Sequence, residues 1–234
     1  LVAIGAVLVD LLVRNHRIHS YQIVVFCLLI PSIILHEVSH GAVAYLLGDD
    51  TAKKAGRLTL NPISHIDPFG SIILPAIMAI SSVGAFGWAK PVPVTISNLR
   101  RPRDHAVLVG LAGPATNIVI AVIMALVFRS VASPELINAM VLSGGSGLPP
   151  TLGMQIIYLA GFVNVILAAF NLIPIPPLDG SAVIERLLPT KWMPGYYRLR
   201  TAMIVVVLLL VLTGSSFLNT IFNHALDLWI HLIG

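Results

Sequence analysis

The chain has 234 residues, 57% of them hydrophobic and only 10% charged, with a mean hydropathy of +0.93. Soluble domains carry about 25% charged residues, so a soluble enzyme is excluded and an integral membrane protein is indicated. The formal charge of +4 comes from Lys and Arg clustered between apolar segments, which reads as basic loops facing the cytosol and excludes a nucleic-acid face.

Apolar segments cover residues 1–13, 21–47, 71–86, 105–128, 152–173, 201–213 and 217–233. A helix crosses a bilayer unaided with about 17–25 such residues, which only some of these reach. The first has neither a basic leader nor a cleavage site, so it reads as the remnant of a longer membrane helix rather than a signal peptide. The single cysteine, Cys27, lies in an apolar run, which rules out an internal disulfide and a cysteine-based zinc site.

Within 21–47 stands His36-Glu37-Val38-Ser39-His40. A helix places residues i and i+4 on one face, so both imidazoles point the same way with Glu37 beside them, as a hydrolytic zinc site requires. Glu37 is one of three glutamates in the chain. An ionisable group near the bilayer centre costs about 2.5–3.5 kcal/mol on insertion scales. A glutamate with two imidazoles therefore needs a partner, and a metal is the simplest; the plainer reading is a polar cluster bonded to neighbouring helices. Pro31, five residues earlier, removes one helical hydrogen bond and is expected to bend the helix and open space for water.

Residues 57–60 and 88–96 read as strands, the second with prolines at 91 and 93. Between them 71–86 is short, contains Pro75 and ends in glycine and serine. If it crosses, ten Lys or Arg face one side and four the other; if it dips in and returns, the split is eleven to three. Charge barely separates the two arrangements, and length favours the re-entrant one, with strand-like backbone covered by protein or a watery cavity. Arg100, Arg101 and Arg103 form an interfacial basic cluster suited to anionic lipid. Segments 201–213 and 217–233 read as a hairpin turning at residues 213–216.

Two histidines do not hold a catalytic zinc, which takes three protein ligands and a water. Asp179, Asp67, His65 and His105 are the candidates for the third. Three prolines at 174, 176 and 177 stop the 152–173 helix and make the chain extended where Asp179 is presented. Asp179 serves equally well on this pattern as the cap of a short helix through Glu185 to Leu188. His65 and Asp67, flanked by prolines, suit a turn. His224, Asp227 and His231 share one helix face and read as a helix interface rather than a metal site.

His36 to His40, together with 171–180 ending in Leu178-Asp179-Gly180, resembles the site-2 protease family of intramembrane zinc metalloproteases. The run from Gly110 to Asn117 is similar to that family's Gly-Pro-x-x-Asn helix, and 56–62 to its membrane-associated strand; the matches fall in order over residues 20–190. The resemblance implies zinc as cofactor, His36, His40 and Asp179 as ligands, Glu37 as catalytic base, and substrate contacts from Asn117 and Asn171. Membrane-buried asparagines serve as readily in hydrogen bonds between helices. The family also implies strands and a re-entrant segment on the cytosolic side, which selects the eleven-to-three arrangement.

The expected protein is thus a polytopic α-helical membrane protein of about six crossings with a small β-sheet or re-entrant segment. It forms one domain over 1–234, with a catalytic core at 20–190 and flanking helices at 1–13 and 201–233. By this reading it hydrolyses peptide bonds in transmembrane segments of other proteins, in a prokaryotic plasma membrane, with the site nearer the cytosol and an exposed strand holding the unwound substrate. The alternatives are a metal transporter, for which glutamate at position 37 is not required, a non-proteolytic zinc-binding member, and a prenyl-protein protease.

Overall fold

The computed structural model describes residues 20–67, 90–145, 147–212 and 215–234. The expected 1–13 helix and the 71–86 re-entrant segment lie outside these residues. Eight α-helices are described: α1 (Ser20–Leu46), α2 (Thr51–Lys54), α3 (Pro102–Val131), α4 (Pro134–Leu142), α5 (Leu152–Asn171), α6 (Ser181–Leu187), α7 (Met193–Leu212) and α8 (Ser216–Ile233). Three are long and apolar enough to cross a membrane, over Ile23–Leu46, Pro102–Val131 and Leu152–Asn171.

These three pack on one another, with α8 laid along α5. The core between them is built from Ala121, Ala125 and Phe128 of α3, Tyr158 and Leu159 of α5, and Trp229 and Ile233 of α8. Small residues set the spacing: a Cβ at Gly161 would fall inside the fully buried Trp229 ring. The outer face of α3 leaves Ile118, Val119, Val122, Ile123 and Leu126 exposed, an apolar stripe suited to lipid. The chain is a helical membrane protein.

Local signals explain the helix ends. Ser133, Thr151 and Ser215 cap α4, α5 and α8, each hydroxyl accepting a main-chain N–H of the first turn. After α5 the proline-rich segment 172–180 loops out and returns, closed by the N–H of Gly180 on the carbonyl of Asn171 at 2.7 Å. Gly180 is required there, because a Cβ would meet the Leu172 carbonyl carbon at 2.6 Å. The following α6 is clasped to the start of α3: Arg103 donates to the carbonyls of Glu185, Arg186 and Leu188, and Arg186 pairs with Asp104 at 2.5 Å.

Two expectations are corrected. No strand is present among the described residues: 57–60 is a bend, and of the expected 88–96 strand residues 88–89 lie outside the described residues, 90–95 are extended without a ladder partner among them, and Ile96 opens a 3-10 turn. The reason is that the polar groups of 90–95 go elsewhere. Prolines 91 and 93 have no N–H, and the N–H groups of Val92 and Thr95 are taken by the carboxylates of Glu37 and Asp49. Second, the α8 face with His224, Asp227 and His231 is exposed rather than an interface. The two histidines bond back to carbonyls of their own helix, while Leu218, Ala225, Trp229, Ile230 and Ile233 are the buried face.

Candidate metal centre

Helical spacing brings His36 and His40 together on α1, and the 172–180 loop delivers Asp179 opposite them. Nε2 of His36 and Nε2 of His40 are 3.1 Å apart, and Oδ2 of Asp179 is 3.0 and 3.4 Å from them. Both histidines are buried, whereas Asp179 and Glu37 are half-buried. Burial works to raise the Asp179 carboxyl pKa, and the two imidazoles outweigh it, holding the group below its ordinary value as an anion. Asp179 makes no cap on α6, whose N-cap is Gly180 with no side-chain bond.

The outer nitrogens fix the tautomers. Nδ1 of His40 lies 2.6 Å from the carbonyl of Val109, an acceptor only, so this nitrogen carries the proton. Nδ1 of His36 lies 3.0 Å from Oδ1 of the fully buried Asn117 and donates in the same sense. With both imidazoles neutral, their Nε2 lone pairs face each other and the Oδ2 atom of Asp179. Three electron-pair donors converging in this way repel one another unless a proton or a metal cation stands among them. Ligands tetrahedrally placed about 2.0–2.1 Å from zinc are roughly 3.3 Å apart, close to this triangle.

The wall facing the triangle is also shaped for an ion. A Cβ on Gly113 of α3 would fall 2.5 Å from Nε2 of His36 and press on Nε2 of His40. Likewise a Cβ on Gly110 would meet Ala182 at 2.7 Å and the Asp179 carbonyl at 3.2 Å. One face of α3 therefore supplies the Val109 carbonyl, two glycines for close approach and the Asn117 amide. Such outer partners orient metal-binding imidazoles and raise their basicity.

Among the described residues, His36, His40 and Asp179 are the group able to share a metal. The other candidates for a third ligand stand apart. His65 is buried and bonded to the carbonyl of Thr59 at 2.8 Å, and His105 receives the N–H of Arg101 at 3.4 Å. The Asn171 amide donates to the carbonyl of Leu167 within its own helix at 3.0 Å.

Sequence reasoning missed the main-chain contact to Glu37, whose Oε2 accepts the Val92 N–H at 2.9 Å. A Pro-Val-Pro run that leaves one N–H to be satisfied was the available signal. It also missed Asn164, buried on α5, whose amide reaches the Ser32 hydroxyl of α1 at 2.9 Å.

Comparison with known proteins places this architecture. Residues 23–214 match peptidase family M50. The chain belongs to that family, the site-2 proteases. It is 39% identical over 203 residues to "Putative zinc metalloprotease YwhC" of Bacillus subtilis, covering 85% of each chain. It is 34% identical over 155 residues to "Putative zinc metalloprotease Rip2" of Mycolicibacterium smegmatis, covering 66% of this chain and 53% of that one. "Zinc metalloprotease MJ0392" of Methanocaldococcus jannaschii is 24% identical over 192 residues, covering 82% of this chain and 41% of the relative. No solved structure matches.

Proposed function

We propose that this M50 member is an intramembrane zinc metalloprotease that hydrolyses peptide bonds within or beside transmembrane segments of other proteins. The observation that carries the reading is the close triangle of His36, His40 and Asp179 with Glu37 beside it. These three side chains would hold zinc, which supplies a site where water loses a proton near neutral pH and where the scissile carbonyl is polarised. Glu37 is the general base: its carboxylate accepts the proton from the attacking water and delivers it to the departing nitrogen. Asn117 keeps His36 in the tautomer that offers Nε2 outward.

A transmembrane substrate arrives as a helix whose peptide bonds are closed by their own hydrogen bonds, so a short stretch must unwind before attack. Nδ2 of Asn117 is a buried donor with no partner, which supports a contact with the unwound chain. The corresponding contact by Asn171 rests on the family resemblance alone. The remaining crossings belong to this proposal, with 1–13, α7 and α8 bringing the total to about six, as do a prokaryotic plasma membrane and a site nearer the cytosol.

The test is metal analysis combined with hydrolysis of a labelled single-pass peptide by the purified protein in detergent. One zinc per chain, with hydrolysis lost in Glu37→Gln while zinc is retained, is the expected result. Zinc movement across vesicles without hydrolysis of any peptide tried would replace this reading with transport.

A further inference from the structure

The residues around Glu37 are organised beyond what the metal triangle needs. Of Pro91, Val92 and Pro93 only Val92 has an N–H, and Glu37 takes it. The Val92 side chain is buried over Gly41, where a Cβ would fall 2.7 Å from both Val92 Cγ1 and Leu58 Cδ2. Val92 is thus seated by its side chain one residue beyond His40 and presents its N–H to the carboxylate.

Two clamps hold the segment on either side of this contact. Upstream, the buried Arg57 donates from Nη2 to the carbonyls of Lys90 at 2.7 Å and Pro91 at 3.4 Å, and the N–H of Lys90 reaches the carbonyl of His65 at 2.9 Å. Downstream, the fully buried Asp49 accepts from the N–H of Thr95 at 2.7 Å and the amide of Asn98 at 3.0 Å. It also receives both the N–H and the hydroxyl of Thr51. Neither clamp touches a histidine of the triangle in these bonds. Together they fix the height and angle at which Val92 meets Glu37.

We infer that residues 90–98 are a positioning strap for the catalytic base, in which the Val92 N–H orients the Glu37 carboxylate and Arg57 and Asp49 act as positioning residues that hold the strap. The inference rests on reading Glu37 as the base. One carboxylate oxygen is committed to the N–H, which fixes the plane of the group and leaves the other oxygen for the proton. General-base catalysis depends on such geometry, because a misplacement of about 1 Å costs on the order of 100-fold.

Hydrogen exchange with mass spectrometry tests the contact without any turnover. Between residues 91 and 94 only Val92 and Val94 carry an amide hydrogen, so the signal is simple to assign. Glu37→Ala should speed exchange at Val92 by about tenfold or more, and Asp49→Ala and Arg57→Ala should do the same. In turnover assays the two clamp variants should lower kcat roughly 10- to 100-fold with KM and one zinc per chain unchanged, by analogy with the partners that orient metal ligands. Arg57→Lys should recover part of that loss. Where Asp49→Ala does not fold, Asn98→Ala removes one donor at an exposed position and gives the milder test.

Unchanged exchange at Val92 in Glu37→Ala would overturn the inference. So would clamp variants that raise KM with kcat intact, which would make the strap a substrate platform, or that lose zinc, which would make it part of the fold. Inactive Glu37→Gln beside fully active clamp variants sinks the strap alone; a fully active Glu37→Gln sinks the base.

Discussion

The histidine face of α1 and the 90–98 strap meet at Glu37, and they are built in opposite ways. On α1 the regular helical period aligns His36 and His40, and further partners come from one face of α3. In the strap no such period operates: an extended chain with two prolines, ending in a 3-10 turn at Ile96–Asn98, is held mainly by the side chains of Arg57, Glu37 and Asp49. A regular element announces its chemistry in spacing, whereas an irregular one is defined by whatever groups satisfy its backbone.

Breaking the first region should have the larger effect. Gly113→Ala places a methyl against both imidazoles and should abolish zinc binding, read as metal content after purification, together with all hydrolysis. Asn117→Ala leaves Nδ1 of the buried His36 without its acceptor, and zinc affinity measured by chelator competition should fall roughly 10- to 100-fold.

The second region is broken more gently. Asp49→Asn should destabilise the protein by about 1–3 kcal/mol at neutral pH, measured by unfolding in detergent, because an amide nitrogen replaces one acceptor oxygen in a buried site. Burial works to raise the Asp49 carboxyl, and the bonds from Thr51, Thr95 and Asn98 outweigh it, so its pKa lies below the ordinary 3.8. A depressed pKa means that this stabilisation is full above the unfolded value and is lost as pH falls through the folded one. The deficit of Asp49→Asn should therefore shrink below about pH 4. The smallest effect belongs to the exposed α8 face, where His224→Ala and His231→Ala should change stability by less than about 0.5 kcal/mol and leave zinc content unchanged.

The same contrast explains how much could be read beforehand. The α1, α3 and α5 helices were legible from apolar length, and His36, Glu37 and His40 from their spacing. Asp179 was only half legible: three prolines showed that α5 stops, but an aspartate before a short helix fits a cap as well as a ligand. Its placement depends on the Asn171 carbonyl receiving the Gly180 N–H, a contact nine residues long in sequence that no local pattern reports. The strand expected at 57–60 failed because Arg57-Leu58-Thr59-Leu60 suggests extended chain without saying whether a partner exists. Arg57 faces the 90–91 carbonyls with its side chain instead of its backbone. Asp49, beside Asp50 with no pattern to set it apart, is fully buried, since its four donors come from residues 51, 95 and 98.

The measurement closest to the central claim is the position of the cut bond. The protein would be reconstituted in vesicles with a single-pass substrate carrying a helix-breaking residue, and the products identified by mass spectrometry. New termini inside the membrane-spanning stretch, absent with Glu37→Gln, are the predicted result. Cuts confined to the soluble flanks, or cuts that persist with Glu37→Gln, would contradict an intramembrane protease working through Glu37.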